Sequence, residues 1–425
     1  MDRDADRLFH TGRISRRTAA DAPLAAAEPR SAKPGRSLLS SSLIGSTNRG
    51  RVLQALFDLG PTSRAELARL AGVNRTTISG IVQPLLDQQL LVEGEPIPAS
   101  EGGGKPARPL WFSPDARPIC GVLLMPGSVR TCLVTLEGKI HAEHEGVLPV
   151  SPPHLQETIA TLSACIERTL GEARRTPLGI GVAVGGMVDT DRRAIVRINL
   201  APVLDGCSLG DELSRRFHLP VLLDHHPRAL LVGDRWFGKG RGVRTFAVVY
   251  TGEVLGGALY LDGRLHRGLA GAGGELGHTF VQVDGDLCRC GRRGCWETIA
   301  TTGWLRRQAR AIALPDADTI DCRRLVQLVE AEVAGAADLL DRYARNVAVG
   351  IANLQQSVAP NVFILHGDVV GGGERMIEAI LRHVRRLVPW RPSGEIIFET
   401  GETEDRAALL GAAGLVLSDL LHFPL

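Results

Sequence analysis

At residues 63–86 the chain reads SRAELARLAGVNRTTISGIVQPLL. Ser63, with Glu66 three positions on, has the spacing of a capping box and opens a helix through Leu67, Ala68, Leu70 and Ala71 that stops at Gly72. Asn74 caps the next helix. Ile78, Ile81, Val82, Leu85 and Leu86 fall on its buried side, and Arg75, Thr76, Thr77, Ser79 and Gln83 lie between them on faces left to solvent or a partner. Pro84 sits inside that helix, where it removes the hydrogen bond to the Gly80 carbonyl and is expected to kink or divide it. Upstream, from Thr47, the residues Val52, Leu53, Leu56, Phe57 and Leu59 form another apolar helical face, closed by Gly60-Pro61. Two short helices about a glycine-bearing turn form a helix-turn-helix. Downstream, Leu90 to Glu93 and Leu110 to Phe112 read as partner strands of a wing. Its glycine-rich tip carries Lys105 and Arg108, two cations suited to a phosphate or minor-groove contact.

Beyond Pro118 strand-like and helical runs alternate. Strands are expected at Ile119 to Leu124, Thr131 to Leu136, Leu178 to Val184, Val221 to Leu223, Thr245 to Tyr250, Ala258 to Leu261 and Val362 to Leu365. Helices are expected around Leu155 to Leu170, Leu325 to Ala334, Ala336 to Ala359 and Ala407 to Leu421. The alternation implies an α/β fold, and no short repeat period is evident. Residues 1–45, rich in Ala, Arg, Ser, Asp and Pro without an apolar period, read as a disordered tail. The expected division is therefore a tail (1–45), a winged helix-turn-helix (46–112) and a large α/β body (118–425).

A length of 425 residues exceeds one ordinary domain, and 44% hydrophobic with 23% charged residues is the composition of a soluble globular protein. Lys plus Arg (49) nearly balances Asp plus Glu (47), so any DNA binding has to be local rather than the work of an overall positive field. No run of about 18 apolar residues is present. Met1 to Arg17 mixes Asp with Arg instead of building a signal peptide, and a cytoplasmic location without membrane contact is expected.

Eight cysteines over this length are no disulfide framework, and Cys288, Cys290 and Cys295 crowd into eight positions. With His278 they supply one imidazole and three thiolates, the soft set of a closed tetrahedral zinc site, with Gly291 and Gly294 allowing a tight loop. Such a zinc is structural, organising the loop that carries Glu275 and Glu297. Cys120, Cys132, Cys165, Cys207 and Cys322 read as small core residues.

The helix-turn-helix run, the glycine-rich wing, Gly274-Glu275-Leu276-Gly277-His278 and the cysteine cluster ending at Glu297 together resemble the ROK family of repressors, open reading frames and kinases, in its xylose-repressor and N-acetylglucosamine-repressor branch. The resemblance spans about residues 46 to 420. It implies a winged helix-turn-helix followed by a two-lobed, actin-like sugar-kinase fold with a ligand cleft between the lobes. DNA recognition would then place the third helix in a major groove of double-stranded DNA, with Asn74, Arg75, Thr76, Thr77 and Ser79 at its reading end and Ser63, Lys105 and Arg108 beside it.

The same resemblance marks where kinase chemistry is lost. The family's Asp-x-Gly-x-Thr phosphate loop corresponds to Leu123-Leu124-Met125-Pro126-Gly127, its second phosphate motif to Gly252-Glu253-Val254, and its Glu-Asn-Asp-Ala-Asn catalytic pattern to Asp224-His225-His226-Pro227-Arg228. His226 stands in the place of the general base. Histidine can act as a base near neutral pH, yet with both phosphate loops broken no phosphoryl transfer is expected. Asn199, Glu275, His278 and Glu297 stand where the family contacts a hexose, facing His225 and His226. With Arg228 the latter wall reads as neutral to positive, which suggests an anionic effector such as a sugar phosphate or sugar acid. The resulting expectation is a non-enzymatic regulator, a homodimer or homotetramer on a pseudo-palindromic operator, with a sugar or sugar-derived effector. The alternatives are a DNA-bound regulator that answers a protein partner or a non-sugar metabolite, and a sugar kinase with a DNA-binding head.

Overall fold

The structure, a computed structural model, describes residues 52–96, 107–148, 154–198, 201–388, 395–401 and 405–420. The expected tail, Lys105 and Asn199 lie outside them. Helix α1 (residues 52–59) is followed by α2 (Arg64–Ala71) and α3 (Arg75–Asp87), with strands β1 (Thr62–Ser63), β2 (Leu91–Glu93) and β3 (Pro109–Phe112). These strands pair antiparallel in the order β1-β3-β2, Val92 opposite Trp111. The local signals act as read. Ser63 Oγ accepts the Glu66 N–H at 3.2 Å, Gly72 ends α2 in the left-handed conformation (φ 65°), and Asn74 Oδ1 accepts the Thr77 N–H at 2.8 Å. Glu66 does not complete the box; its carboxylate pairs with Arg69.

Helix α3 runs through Pro84 as one element, so the division that this residue could have caused does not occur. Gly80 is exposed, so its freed carbonyl reaches water, and Ile78, Val82 and Leu85, all buried, hold both halves of the helix to one core.

The body is built from two five-stranded sheets. The first takes β4 (Ile119–Met125), β5 (Ser128–Val134), β6 (Ile140–Val147), β7 (Ile180–Val184) and β10 (Val221–His225), in the order β10-β7-β4-β5-β6. Helix α4 (Leu155–Gly171), the hairpin β8 (Met187–Asp189) and β9 (Ala194–Arg197), and α5 (Leu209–Phe217) connect these strands; α6 (His226–Phe237) leads out of β10. The second sheet takes β11 (Phe246–Thr251), β12 (Leu255–Leu261), β13 (Arg264–Leu265), β14 (Val362–Gly367) and β15 (Ile397–Thr400), in the order β13-β12-β11-β14-β15. It is covered by α7 (Thr302–Ala311), α8 (Cys322–Glu330), α9 (Ala336–Val358), α10 (Asp368–Gly371) and α11 (Gly373–Leu387), and α12 (Arg406–Leu420) returns to the first sheet. In each sheet a three-stranded antiparallel meander comes first, and two later strands add parallel to its first strand. The body is thus one plan used twice, a repeat that the sequence does not display.

Helices α6 and α12 lie against each other in the interior. A methyl group on Gly411 would sit 1.7 Å from the Ala229 carbonyl oxygen, and one on Gly233 would sit 2.2 Å from that of Ala407. The sheet is equally close to α12, since a methyl on Gly181 would sit 1.8 Å from the Ala412 oxygen. At its far end α6 receives α1. Phe57 packs on Phe112, Trp236 and Phe237, and Asp58 takes both Arg235 nitrogens at 3.0 and 3.3 Å, the arginine being almost wholly buried.

Gly411→Ala is expected to destabilise the protein by about 3 kcal/mol or more, because a β-carbon has no space between two backbones. Gly171→Ala, at the end of α4 with open space around it, is the control and should be neutral or slightly stabilising in the same denaturant titration.

Candidate ligand cleft and metal centre

Four predicted ligands meet in one place. The donor atoms of His278, Cys288, Cys290 and Cys295 all lie within 4.8 Å of one another. His278 Nδ1 is 3.6 Å from Cys288 Sγ, and Cys290 Sγ is 3.7 Å from Cys295 Sγ. A zinc tetrahedron with Zn–S near 2.3 Å and Zn–N near 2.0 Å has S–S edges of about 3.8 Å and S–N edges of about 3.5 Å, so the donor set fits that ion. The loop is folded for this purpose: Gly291 and Gly294 adopt φ of 87° and 73°, and a methyl on Gly294 would sit 1.7 Å from the Gln282 carbonyl oxygen. Trp296, fully buried, anchors the loop by donating its indole N–H to the Asn346 carbonyl at 2.9 Å. Burial opposes ionisation of the Cys290 thiol, but the Arg292 backbone and side chain and the two neighbouring thiols outweigh it and draw Cys290 down to about 6. Burial pushes Cys288 up to about 12, so a metal has to displace its proton.

Beside this centre a cavity of about 490 Å³ lies between the two sheets. Of the predicted effector residues, His225, His226, Glu275, His278 and Glu297 all line it. His225 ends β10. Burial and the neighbouring Arg228 cation push its imidazole down to about 3, so it is neutral. Its Nδ1 is buried without a hydrogen-bond partner among the described residues and lies 3.7 Å from Glu275 Oε1. Burial also pushes the Glu275 carboxyl up. His226 is committed elsewhere: Nε2 is 3.1 Å from Asp405 Oδ1, and the ring meets Tyr250 edge-on at 4.8 Å between centroids.

Of the expected neutral-to-positive wall, the structure keeps the neutral part. Arg228 is fully buried and turned away, its Nε on Asp224 Oδ1 at 2.5 Å and its Nη1 on the carbonyls of Gly271 and Gly273 at 2.9 and 2.7 Å. Arg267 donates to Asp224 Oδ2 at 2.9 Å. Burial alone would raise the Asp224 carboxyl, yet the two arginines hold it below the usual carboxylate range, and the charge of the buried Arg228 is balanced there. With His225 neutral and Arg228 neutralised, the charge argument for an anionic effector is lost.

The phosphate loops are as empty of polar chemistry as their residues suggest. Leu123 is buried, and the Met125 thioether occupies the space over Gly185, where a methyl would sit 2.7 Å from its sulfur. Glu253 is paired with Arg306 at 2.6 Å. Sequence reading missed Tyr250, Pro227, Arg197 and Arg292 in the cavity lining, and Asp405 behind His226. A proline in the first turn after a short strand was a usable signal for α6, which begins at His226-Pro227; the others carried no local signal.

Residues 127–419 match the model of the ROK family. The chain belongs to the ROK family. A xylose repressor of Caldicellulosiruptor bescii is 26% identical over 398 residues, covering 90% of this chain and 98% of its own. Among solved structures, a ROK family transcriptional regulator described as a homologue of the E. coli MLC protein superposes with a TM-score of 0.71 at 22% identity, over 89% of this chain and 99% of that one. A ROK glucokinase from Streptomyces griseus, in complex with glucose and AMPPNP, superposes with a TM-score of 0.62 at 26% identity, over 70% and 98%. The body therefore has the actin-like ROK sugar-kinase fold, shared by repressors and kinases of the family.

The purified protein is expected to carry about one zinc per chain by elemental analysis, and Cys295→Ser to lose most of it with a lowered Tm. Since the ligands must be deprotonated, occupancy should fall as pH is lowered; full retention of zinc in Cys295→Ser would argue against this ligand set.

Proposed function

We propose that this ROK protein is a sequence-specific transcriptional repressor whose kinase-like body, residues 118–425, senses a ligand without catalysing its phosphorylation. One observation carries the reading. The match to the xylose repressor spans 90% of the chain, more than the body alone, whereas the match to the glucokinase spans 70%. We assign the extra length to the segment of α1–α3 and the three-stranded sheet, and read that segment as a winged helix-turn-helix head over residues 46–112.

Within that head, α3 is the reading helix. Arg75 and Thr76 are exposed at its start, and among the described residues Arg75 has no ionic partner. Asn74 and Thr77 are partly committed to the cap, with Thr77 Oγ1 also 2.9 Å from Asn74 Oδ1, and Ser63 Oγ is committed to the cap of α2, so these three position the helix and backbone more than they read bases. Ser79 is half-buried and Arg108 exposed on the wing stem. Two heads in a homodimer, or four in a tetramer, would engage a pseudo-palindromic operator. No helix among the described residues is long and apolar enough to cross a membrane, in keeping with a cytoplasmic regulator.

The route from ligand to DNA is α6. It begins at the cleft with His226 and ends under α1 with Arg235, Trp236 and Phe237, a rod of about 17 Å. A ligand that changes the lobe angle moves this rod and with it the heads, shifting an existing equilibrium. The zinc holds the Glu275–Glu297 side of the cleft in shape.

Genome-wide occupancy followed by fluorescence anisotropy on the recovered site tests the reading: a palindromic site with a steep salt dependence is expected, and its absence would sink it. Arg75→Ala should weaken operator binding by about tenfold or more while leaving zinc content intact. Incubation with ATP, magnesium and a hexose panel should yield no sugar phosphate; turnover would return the protein to the kinases.

A further inference from the structure

The cleft has a polar wall and an apolar one, and the apolar one stands where the kinases of this family would hold polyphosphate. On the first sheet, Met125 and Pro126 form the turn between β4 and β5, with the thioether seated on Gly185. From α6, Pro227 rests on Gly256, where a methyl would sit 2.5 Å from its Cγ. From the second sheet come the Tyr250 ring, whose phenol burial keeps protonated, and half-buried Val254 in the turn between β11 and β12. All of them line the same cavity as the polar group.

The polar wall asks for hydroxyls. His225 Nδ1 is buried without a partner beside the Glu275 carboxylate, and a neutral imidazole next to a carboxylate can donate to and accept from adjacent hydroxyl groups. It does not ask for an anion. Glu275 and Glu297 line the cavity in equal number with the cations Arg197 and Arg292, Glu253 being paired with Arg306, and the Arg292 guanidinium is already held over the Phe280 ring, 5.5 Å from its centroid. A volume of about 490 Å³ is in the range of sites for a ring that carries a sizeable substituent.

We infer that the cleft takes an uncharged amphiphile: a hydroxylated sugar ring held by His225 and Glu275 that carries an aryl or alkyl aglycone lying on Met125, Pro126, Pro227, Tyr250 and Val254. This rests on the reading of the body as a ligand sensor, narrows the ligand to a sugar derivative, and adds what the lost phosphate loops have become. Apolar surface at that position binds by dehydration, for which a nucleotide offers too much charge and a plain hexose too little area.

Titration calorimetry on the full-length zinc-loaded protein tests it, with matched methyl and p-nitrophenyl β-D-glycosides of glucose, xylose, galactose and N-acetylglucosamine. For the sugar or sugars that bind, the nitrophenyl compound should bind about tenfold or more tighter than its methyl partner. In Met125→Gln, and separately in Val254→Asn, that ratio should fall below about threefold. Methyl binding in each variant shows that its cleft is folded. Equal affinities within every pair would overturn the aglycone site and leave sugar sensing standing. No binding by any member of either series would overturn both, while operator binding by the head is measured without ligand. An undiminished ratio in both variants would place the aryl group elsewhere and overturn the inference.

Discussion

The contact between α6 and α12 is the constraint on which the rest of the molecule depends. Backbone meets backbone there because Gly411 and Gly233 carry no side chain, Gly181 of β7 lets the sheet come equally close to α12, and the Trp236 indole donates to Ser418 Oγ at 2.8 Å across the α6–α12 interface. The consequence is that α6 is buried along nearly its whole length although its sequence is not that of an apolar helix. Its polar groups therefore need internal partners. Arg228 finds Asp224, Asp234 finds His366 at 2.7 Å on β14, and Arg235 finds Asp58 on α1. Each pair ties α6 to a different element, so the helix has one register relative to the first sheet, the second sheet and the head. Buried pairs of this kind add little net stability over well-packed apolar groups, but a broken one is costly, which makes them good at specifying an arrangement.

The chemistry of the cleft follows from the same burial. A kinase site needs uncommitted charge facing a phosphate, and here charge is either absent, as at Leu123 and Met125, or consumed, as at Arg228, Asp224 and Glu253. His226 is engaged by Asp405. Among the described residues of the lining, His225 Nδ1 and the neighbouring Glu275 remain available to a ligand, together with the exposed Arg197, in an enclosure whose other side is apolar. The cluster of His278 and the three cysteines borders this enclosure and meets its rim, where Glu297 Oε2 lies 3.4 Å from Cys288 Sγ and 3.7 Å from His278 Nδ1.

Much of the head was legible because its signals are local. Ser63, Gly72 and Asn74 act within four residues of themselves, and the core positions of α3 follow from a 3.6-residue period. The metal quartet was legible for the same reason, as spacing within one loop sets which donors can converge. Pro84 does not divide α3 because the core overrides the propensity. Helix α6 was missed because its buried face carries arginine, aspartate and histidine, which no apolar period reveals. The twofold use of one sheet plan was invisible because it resides in strand order and direction, and the two halves have no sequence period in common.

The sequence by itself determined the ROK architecture, the His/Cys3 quartet that could hold a metal and the loss of the phosphate loops, all properties of residue type and short-range spacing. Only the tertiary structure decided the charge state of the cleft. Arg228 read as a cation for a ligand until the fold placed its fourth-neighbour Asp224 and the distant Arg267 around it, and His226 read as a free base until Asp405, 179 residues away, met its ring. The field at a buried site depends on desolvation and on partners brought together from across the chain, and neither is a property of any local stretch of residues.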